Sequence, residues 1–233
     1  MRLRHQGFTL VEMLLVVAII TVLLAMLLPM LGESKTAAQR VRCLSNLHGI
    51  SNGLVNYALD HEARIPRKEL MGAKSVFNWL GTAGTLASYS GRGADDRYLN
   101  PYVASKGLSH NAPMPMAHCP TDNGFEGADT FYKLVGVSYS STHHPSYEDL
   151  TRVGDNIGAV SMKTIRHPDR LVAGAEHGAH NNAWSEGGFF GKTVWWHKRP
   201  DWFNVAFADG HAAYTNIPWG GLIGDRYTFH ETR

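Results

Sequence analysis

The feature that most constrains this chain is an uninterrupted apolar run, FTLVEMLLVVAIITVLLAMLLPML, twenty-four residues from Phe8 to Leu31 in which Glu12 is the only charge. As a helix at about 1.5 Å per residue it would reach roughly 36 Å, enough to cross the ~30 Å hydrocarbon core of a bilayer. The segment before it, MRLRHQG, carries Arg2 and Arg4, and the positive-inside bias predicts a cytoplasmic N-terminus with everything after residue 31 on the far side. A secretory signal peptide would have a shorter apolar core, of about 7–15 residues, followed by a small-residue cleavage site. A plain signal anchor or a buried core helix would satisfy the length, but neither accounts for Glu12. A charged side chain near the centre of an inserted helix costs about 2.5–3.5 kcal/mol, less near the interface, so a carboxylate here calls for a partner or a function.

Gly7-Phe8-Thr9-Leu10-Val11-Glu12 resembles the cleavage signal of type IV prepilins and type II secretion pseudopilins. The resemblance implies a leader of residues 1–7, removed by a prepilin peptidase that cuts after Gly7 on the cytoplasmic side and N-methylates Phe8. Glu12 then becomes the fifth residue and Pro29 the twenty-second, positions where that family has its acidic residue and, in many members, a helix-bending proline. The implied assembly role of Glu12 is to pair with the Phe8 ammonium of a neighbouring subunit, two charges that would be costly apart in an apolar bundle. The implied partners are other pilin-like subunits, in a homo- or hetero-filament, the prepilin peptidase and an inner-membrane assembly platform.

Beyond the span, the apolar positions Ala37, Val41, Leu44, Leu47, Leu54 and Ala58 recur at intervals near 3 or 4, apart from Ser51. They predict that the helix continues to Asp60, with residues 8–31 as transmembrane or filament-core helix and 32–60 as an amphipathic continuation. Lys35, Arg40, Arg42 and Asn46 would face away from the core. Residues 61–233 would form a globular extracytoplasmic domain, periplasmic or extracellular after assembly. The chain's 24 glycines and 10 prolines, most of them in this region, favour short strands and many turns. A short helix is expected near Ser75–Leu80, and strands at 131–140, 160–164 and 171–176, the last two separated by a turn at His167-Pro168-Asp169. The clearest hairpin is NVAFADGHAAY at 204–214, where Asp209-Gly210 suits a two-residue type I′ turn. The fold class is α+β, a long N-terminal helix packed on an antiparallel sheet, the pilin-like α/β roll.

The stretch WWHKRPDWFNVAFADGHAAY is similar to the C-terminal signature of prepilin-like proteins of planctomycete and verrucomicrobial bacteria, a His, nine residues, then Asp-Gly. Here eleven residues separate His197 from Asp209-Gly210, a departure of two around Pro200-Asp201. Softer likenesses are RCLSNL at 42–47, HCPTD at 118–122 and HPDRLVAGAE at 167–176.

Composition excludes other classes. A formal charge of +2, falling to zero if Arg2 and Arg4 leave with the leader, offers no cationic field for a nucleic acid. Thirteen histidines include His143-His144 and Glu176-His177 with His180, but no HExxH or paired CxxC gives them metal-ligand spacing, and no GxSxG marks a hydrolase nucleophile. No catalytic residue, metal or cofactor is therefore assigned. Five of the six tryptophans, Trp184, Trp195, Trp196, Trp202 and Trp219, fall within 184–219, where they can build a core or form a platform for sugar rings. The functional expectation is a filament subunit, and the alternative is a minor tip subunit that binds polysaccharide or cargo.

Cys43 lies thirty-five residues after Phe8, roughly 52 Å along a continuous helix, hence beyond the bilayer in an oxidising space. Cys43 and Cys119 can bridge or remain buried thiols. A bridge needs their Cα atoms within about 7 Å and would be worth on the order of 4 kcal/mol. The resemblance adds that cysteines near these positions recur in the RCxxNL and CPxD phrases of similar proteins.

Overall fold

The computed structural model describes residues 9–66, 79–86, 91–104, 106–124, 129–141, 161–184 and 195–229. Gly7, Phe8, His143-His144 and most of the expected helix at Ser75–Leu80 lie outside them. One helix, α1 (Leu10–Asp60), contributes to two separate compact units, Met1–Ala38 and Gln39–Arg233.

In the first unit the helix presents its apolar side chains to the surroundings on every side, from Leu10 to Leu31. It is long and apolar enough to cross a membrane. A helix that is hydrophobic all round is stable where lipid or other helices surround it.

In the second unit the buried stripe of α1 is Cys43, Leu47, Ile50, Leu54 and Tyr57, alternating steps of four and three that keep one face on the core. Two of the positions expected on it fall off this face: Val41 is 59% exposed, roughly 120° around the helix from Leu47, and Ala37 is also exposed. Ser51, the apparent interruption, belongs to the buried face because its hydroxyl donates to the Phe207 carbonyl. Asn46, expected on the outer face, reaches inward, with Nδ2 donating to the His118 carbonyl at 2.9 Å and to the Tyr139 hydroxyl at 3.2 Å.

Two short helices follow, α2 (Asn100–Val103) and α3 (Phe131–Val135). The second replaces the first part of the strand expected at 131–140. Thr130 caps it by accepting from the Lys133 amide, Gly136 ends it in the left-handed region at φ +87°, and only Tyr139–Ser141 remains as strand β1. Strand β2 (Val172–Glu176) leads directly into helix α4 (His177–Trp184), and β3 (Trp202–Phe207) pairs with β4 (Ala212–Asn216). Residues Met162–Thr164 form a 3-10 turn rather than a strand. The sheet is antiparallel throughout in the order β1-β2-β3-β4, with Tyr139 opposite Glu176, Ala175 opposite Val205 and Val205 opposite Ala213.

Both faces of this sheet are covered, as the near-continuous burial of β3 requires. Phe203, Val205 and Phe207 enter one apolar cluster with Ala179 and Ala183 of α4, while Ala206 and Tyr139 enter the other with the α1 stripe. The β3–β4 hairpin closes differently from the expected two-residue turn. The Gly210 amide donates to the Phe207 carbonyl and the Phe207 amide to the His211 carbonyl, a three-residue loop in which Gly210 alone has positive φ, at +103°. That is a simple turn followed by a left-handed residue, the next commonest hairpin connection.

Candidate functional site

Among the described residues, two places gather polar side chains around positions that the sequence singled out, Glu12 at one and Cys43, Cys119 and His197 at the other. The first is the start of α1. The Thr9 amide and hydroxyl both donate to Glu12 Oε2, at 2.8 and 2.7 Å, and the Glu12 amide returns a bond to the Thr9 hydroxyl at 3.3 Å. This reciprocal capping box satisfies amides that the helix start would otherwise leave unpaired. Glu12 therefore has an intramolecular partner set within its own chain. Thr9 drew no expectation from the sequence, although Thr-x-x-Glu before an apolar run is the spacing that signals such a cap.

The second is buried in the Gln39–Arg233 unit, where α1, the 118–122 loop, the end of β2, the turn before β3, and β3 itself converge. Cys43 and Cys119 are joined by a disulfide with Cα atoms 5.0 Å apart. Beside it the Glu176 carboxylate accepts at Oε1 from Asn204 Nδ2 at 2.7 Å and at Oε2 from the Asn204 amide at 3.1 Å, and its Oε1 lies 2.6 Å from His197 Nε2. Asn204 Nδ2 also approaches His197 Nε2 at 3.0 Å and the Arg40 carbonyl at 3.5 Å. The other imidazole nitrogen, His197 Nδ1, faces the Thr121 hydroxyl at 3.4 Å. Glu176, His197 and Asn204 are all buried, a burial tolerable for a carboxylate only because so many donors surround it.

The structure thus brings His197 beside Cys43 and Cys119 and seats it against Glu176. Asp209 and Gly210 occupy the β3–β4 turn, where Asp209 Oδ1 accepts from the His211 amide at 3.1 Å and lies 2.6 Å from His211 Nδ1. Glu176 and Asn204 were not singled out by the sequence as partners of His197. The only available signal was negative, a Glu ending the apolar strand VAGAE and an Asn inside the apolar strand WFNVAF, each at a position where a lone polar group needs a buried partner.

Nearby, Asp122 organises the loop that carries Cys119. Its carboxylate accepts from the amides of Gly124, Phe131 and Tyr132 and from the Ser138 hydroxyl, all at 2.7–3.0 Å. The phrases around 42–47, 118–122 and 167–176 therefore meet in space, through Cys43, Cys119 with Asp122, and Glu176.

Several other histidines serve as packing surfaces. His61 stacks on Tyr57 at 3.9 Å, His211 on Phe207 at 4.1 Å, and the buried His177 lies against Phe131 at 4.3 Å. The tryptophan group divides. Trp196 is buried beside Phe131, whereas Trp195 and Trp219 are 44% and 55% exposed. Trp202 lies under the Arg199 guanidinium at 3.9 Å and against Tyr214 at 5.2 Å.

Comparison with known proteins finds the prokaryotic N-terminal methylation motif over residues 2–28. The chain is similar to the ComG operon protein 3 homolog of Bacillus licheniformis, 27% identical over 66 residues, which cover 28% of this chain and 68% of that protein. No solved structure matches. The N-terminal segment is pilin-like in motif, which together with its apolar helix points to membrane anchoring, and the α+β arrangement is consistent with the pilin fold.

Proposed function

We propose that the chain is a structural subunit of a type IV pilus-like or type II secretion pseudopilus filament, cut after Gly7 and methylated on Phe8 by a prepilin peptidase. The observation that carries this reading is the match of residues 2–28 to the methylation motif, on a helix whose single intramembrane charge is Glu12. The N-terminus is cytoplasmic before processing, and the residues after the span lie outside the cytoplasm, in agreement with the flanking Arg2 and Arg4. Assembly exchanges the Thr9–Glu12 cap for a pairing of Glu12 with the Phe8 ammonium of an adjacent copy or of another pilin-like subunit, at an inner-membrane platform. The domain carries no enzymatic role in this reading. Intact mass of the protein recovered from a strain with an active prepilin peptidase tests it: the mass of MRLRHQG is lost and one methyl group gained, and an N-terminus still at Met1 rejects it.

A second reading, a minor tip subunit that binds polysaccharide or cargo, draws support from the exposed indoles of Trp195 and Trp219. Trp195→Ala with Trp219→Ala would then abolish retention on polysaccharide while leaving filament incorporation unchanged.

A further inference from the structure

The buried cluster contains a second chemistry besides the disulfide. One ligand atom from each of Cys43, Cys119, Glu176 and His197 lies within 4.8 Å of every other, and all four residues are buried. A tetrahedral zinc ion, with Zn–S near 2.3 Å and Zn–N near 2.0 Å, holds its donors about 3.3–3.8 Å apart. The widest pair therefore closes by about 1 Å, while the sulfurs separate and the Glu176–His197 pair opens from 2.6 Å by less than about 1 Å. Two sulfurs and an imidazole form a donor set that suits zinc rather than calcium or magnesium.

The surroundings resemble those of a metal centre. A ligating histidine is normally oriented through its other nitrogen, and His197 presents Nε2 to the cluster while Nδ1 faces the Thr121 hydroxyl at 3.4 Å. A ligating carboxylate is normally held by a neutral donor, and Asn204 Nδ2 holds Glu176 Oε1 at 2.7 Å. The Asn204 side-chain oxygen is buried with no hydrogen-bond partner among the described residues. The four donors come from four separate segments, which is why no spacing in the sequence discloses them.

We propose that this cluster is a two-state site, closed by the Cys43–Cys119 disulfide when oxidised and able to bind one zinc ion through Cys43, Cys119, His197 and Glu176 when reduced. A dithiol reductant supplies two electrons and two protons. The S–S bond breaks, both cysteines become thiols, and the reductant's two sulfurs join in its own disulfide. Zinc then takes the two sulfurs as thiolates and the two thiol protons pass to solvent, while His197 offers the Nε2 lone pair and Glu176 an oxygen. Either state ties α1 to the 118–122 loop, and the zinc state ties in β2 and residue 197 as well. The two states exclude one another because they use the same sulfurs.

Cobalt(II) titration of the full chain in detergent micelles tests the proposal, after reduction with a phosphine and removal of metal. The reduced chain is expected to show the visible absorption of tetrahedral cobalt together with thiolate charge transfer, to saturate at one ion per chain and to lose both signals when zinc is added. The oxidised chain is expected to show neither. Thr121→Val should weaken binding by roughly 10–100-fold, as loss of an orienting partner does, and His197→Ala by more. Zinc should raise the melting temperature of the reduced chain and not of the oxidised one. An octahedral cobalt spectrum, absence of binding, or equal binding by oxidised and reduced chains overturns the proposal. So does a reduced chain that unfolds and takes up metal without regaining its circular dichroism.

Discussion

Glu176 Oε1 stands 2.6 Å from His197 Nε2, and each of the two side chains is only 2% exposed. The carboxylate takes two further bonds from Asn204, on the neighbouring strand β3, so the contact fastens the end of β2 to the residues preceding β3. A buried pair of this kind stabilises little over a well-packed apolar pair of the same shape, yet losing one member leaves the other short of a hydrogen bond that solvent does not replace.

His197→Ala should therefore destabilise the domain by about 1–3 kcal/mol in urea unfolding of the detergent-solubilised chain, since the buried Glu176 carboxylate loses one partner and keeps its two bonds from Asn204. Replacing both, as Glu176→Leu with His197→Leu, should cost less than the single change. A double variant as unstable as the sum of the singles would show that the two side chains act independently.

The disulfide makes a separate prediction. Thiol labelling of the denatured, unreduced chain should find no reactive cysteine, and labelling after reduction should find both. The bridge spans a sequence separation of 76. In the chain-entropy model, Cys43→Ser with Cys119→Ser should cost on the order of 4 kcal/mol. Two reactive thiols before reduction would reject the bridge.

What the sequence disclosed depended on how local the cause was. The long apolar start of α1 from Leu10 and the hairpin around Asp209-Gly210 are written in contiguous residues, since apolar length and turn chemistry act over a few positions. Residues 131–140 read as strand from their loose alternation, but over Phe131–Val135 Thr130 and Gly136 supply helix caps at either end and decide the matter. Val41, expected in the α1 stripe, stays exposed because at about 100° per residue it lies roughly 120° around the helix from Leu47 and roughly 180° from Ile50, so intervals near 3 or 4 summed over several turns drift off the buried face. The Glu176, His197 and Asn204 cluster was illegible because its members are twenty-one, twenty-eight and seven residues apart and meet only through tertiary packing.

Gly174 makes a test of close packing in β2. A Cβ built there would run into the Trp79 ring, at the point where the register between β2 and β3 shifts. Trp79 is itself buried, and its indole nitrogen donates to the Tyr139 carbonyl at 3.2 Å, so the ring has little freedom to retreat. Gly174→Ala should cost about 1–3 kcal/mol, and Trp79→Phe with Gly174→Ala should recover part of that loss in the same unfolding assay. Gly174→Ala unfolding at the wild-type denaturant midpoint would mean that the ring is free to move.

Glu12 allows the cap and the charge to be separated. Gln also serves as the third residue of a capping box, so Glu12→Gln should keep the start of α1 ordered while removing the negative charge. Membrane insertion should be unchanged or improved, and incorporation into filaments should fall. Glu12→Ala should lose the cap as well as the charge. Incorporation of Glu12→Gln at the wild-type level would show that no ammonium partner is required.

His177 gives the pH dependence its sign. Its ring is buried between Phe131, at 4.3 Å, and the stacked His180, at 6.2 Å, with Nδ1 beside the Ser140 hydroxyl at 2.8 Å. Burial pushes its pKa down from 6.5 to about 3, because the imidazolium would lose its water. Between those values the unfolded chain binds a proton that the folded chain refuses, so stability rises with pH through this window. The contribution is complete above about pH 6.5 and is lost as pH falls toward 3, at about 1.4 kcal/mol for each pH unit in the middle of the window. From about pH 7.5 to about pH 5 the domain should lose about 2 kcal/mol to this residue, read as a lower urea midpoint at constant slope. His177→Gln, which cannot titrate, should be less stable at neutral pH but flatter across the window. A drop of the same size in His177→Gln would assign the acid sensitivity to another group.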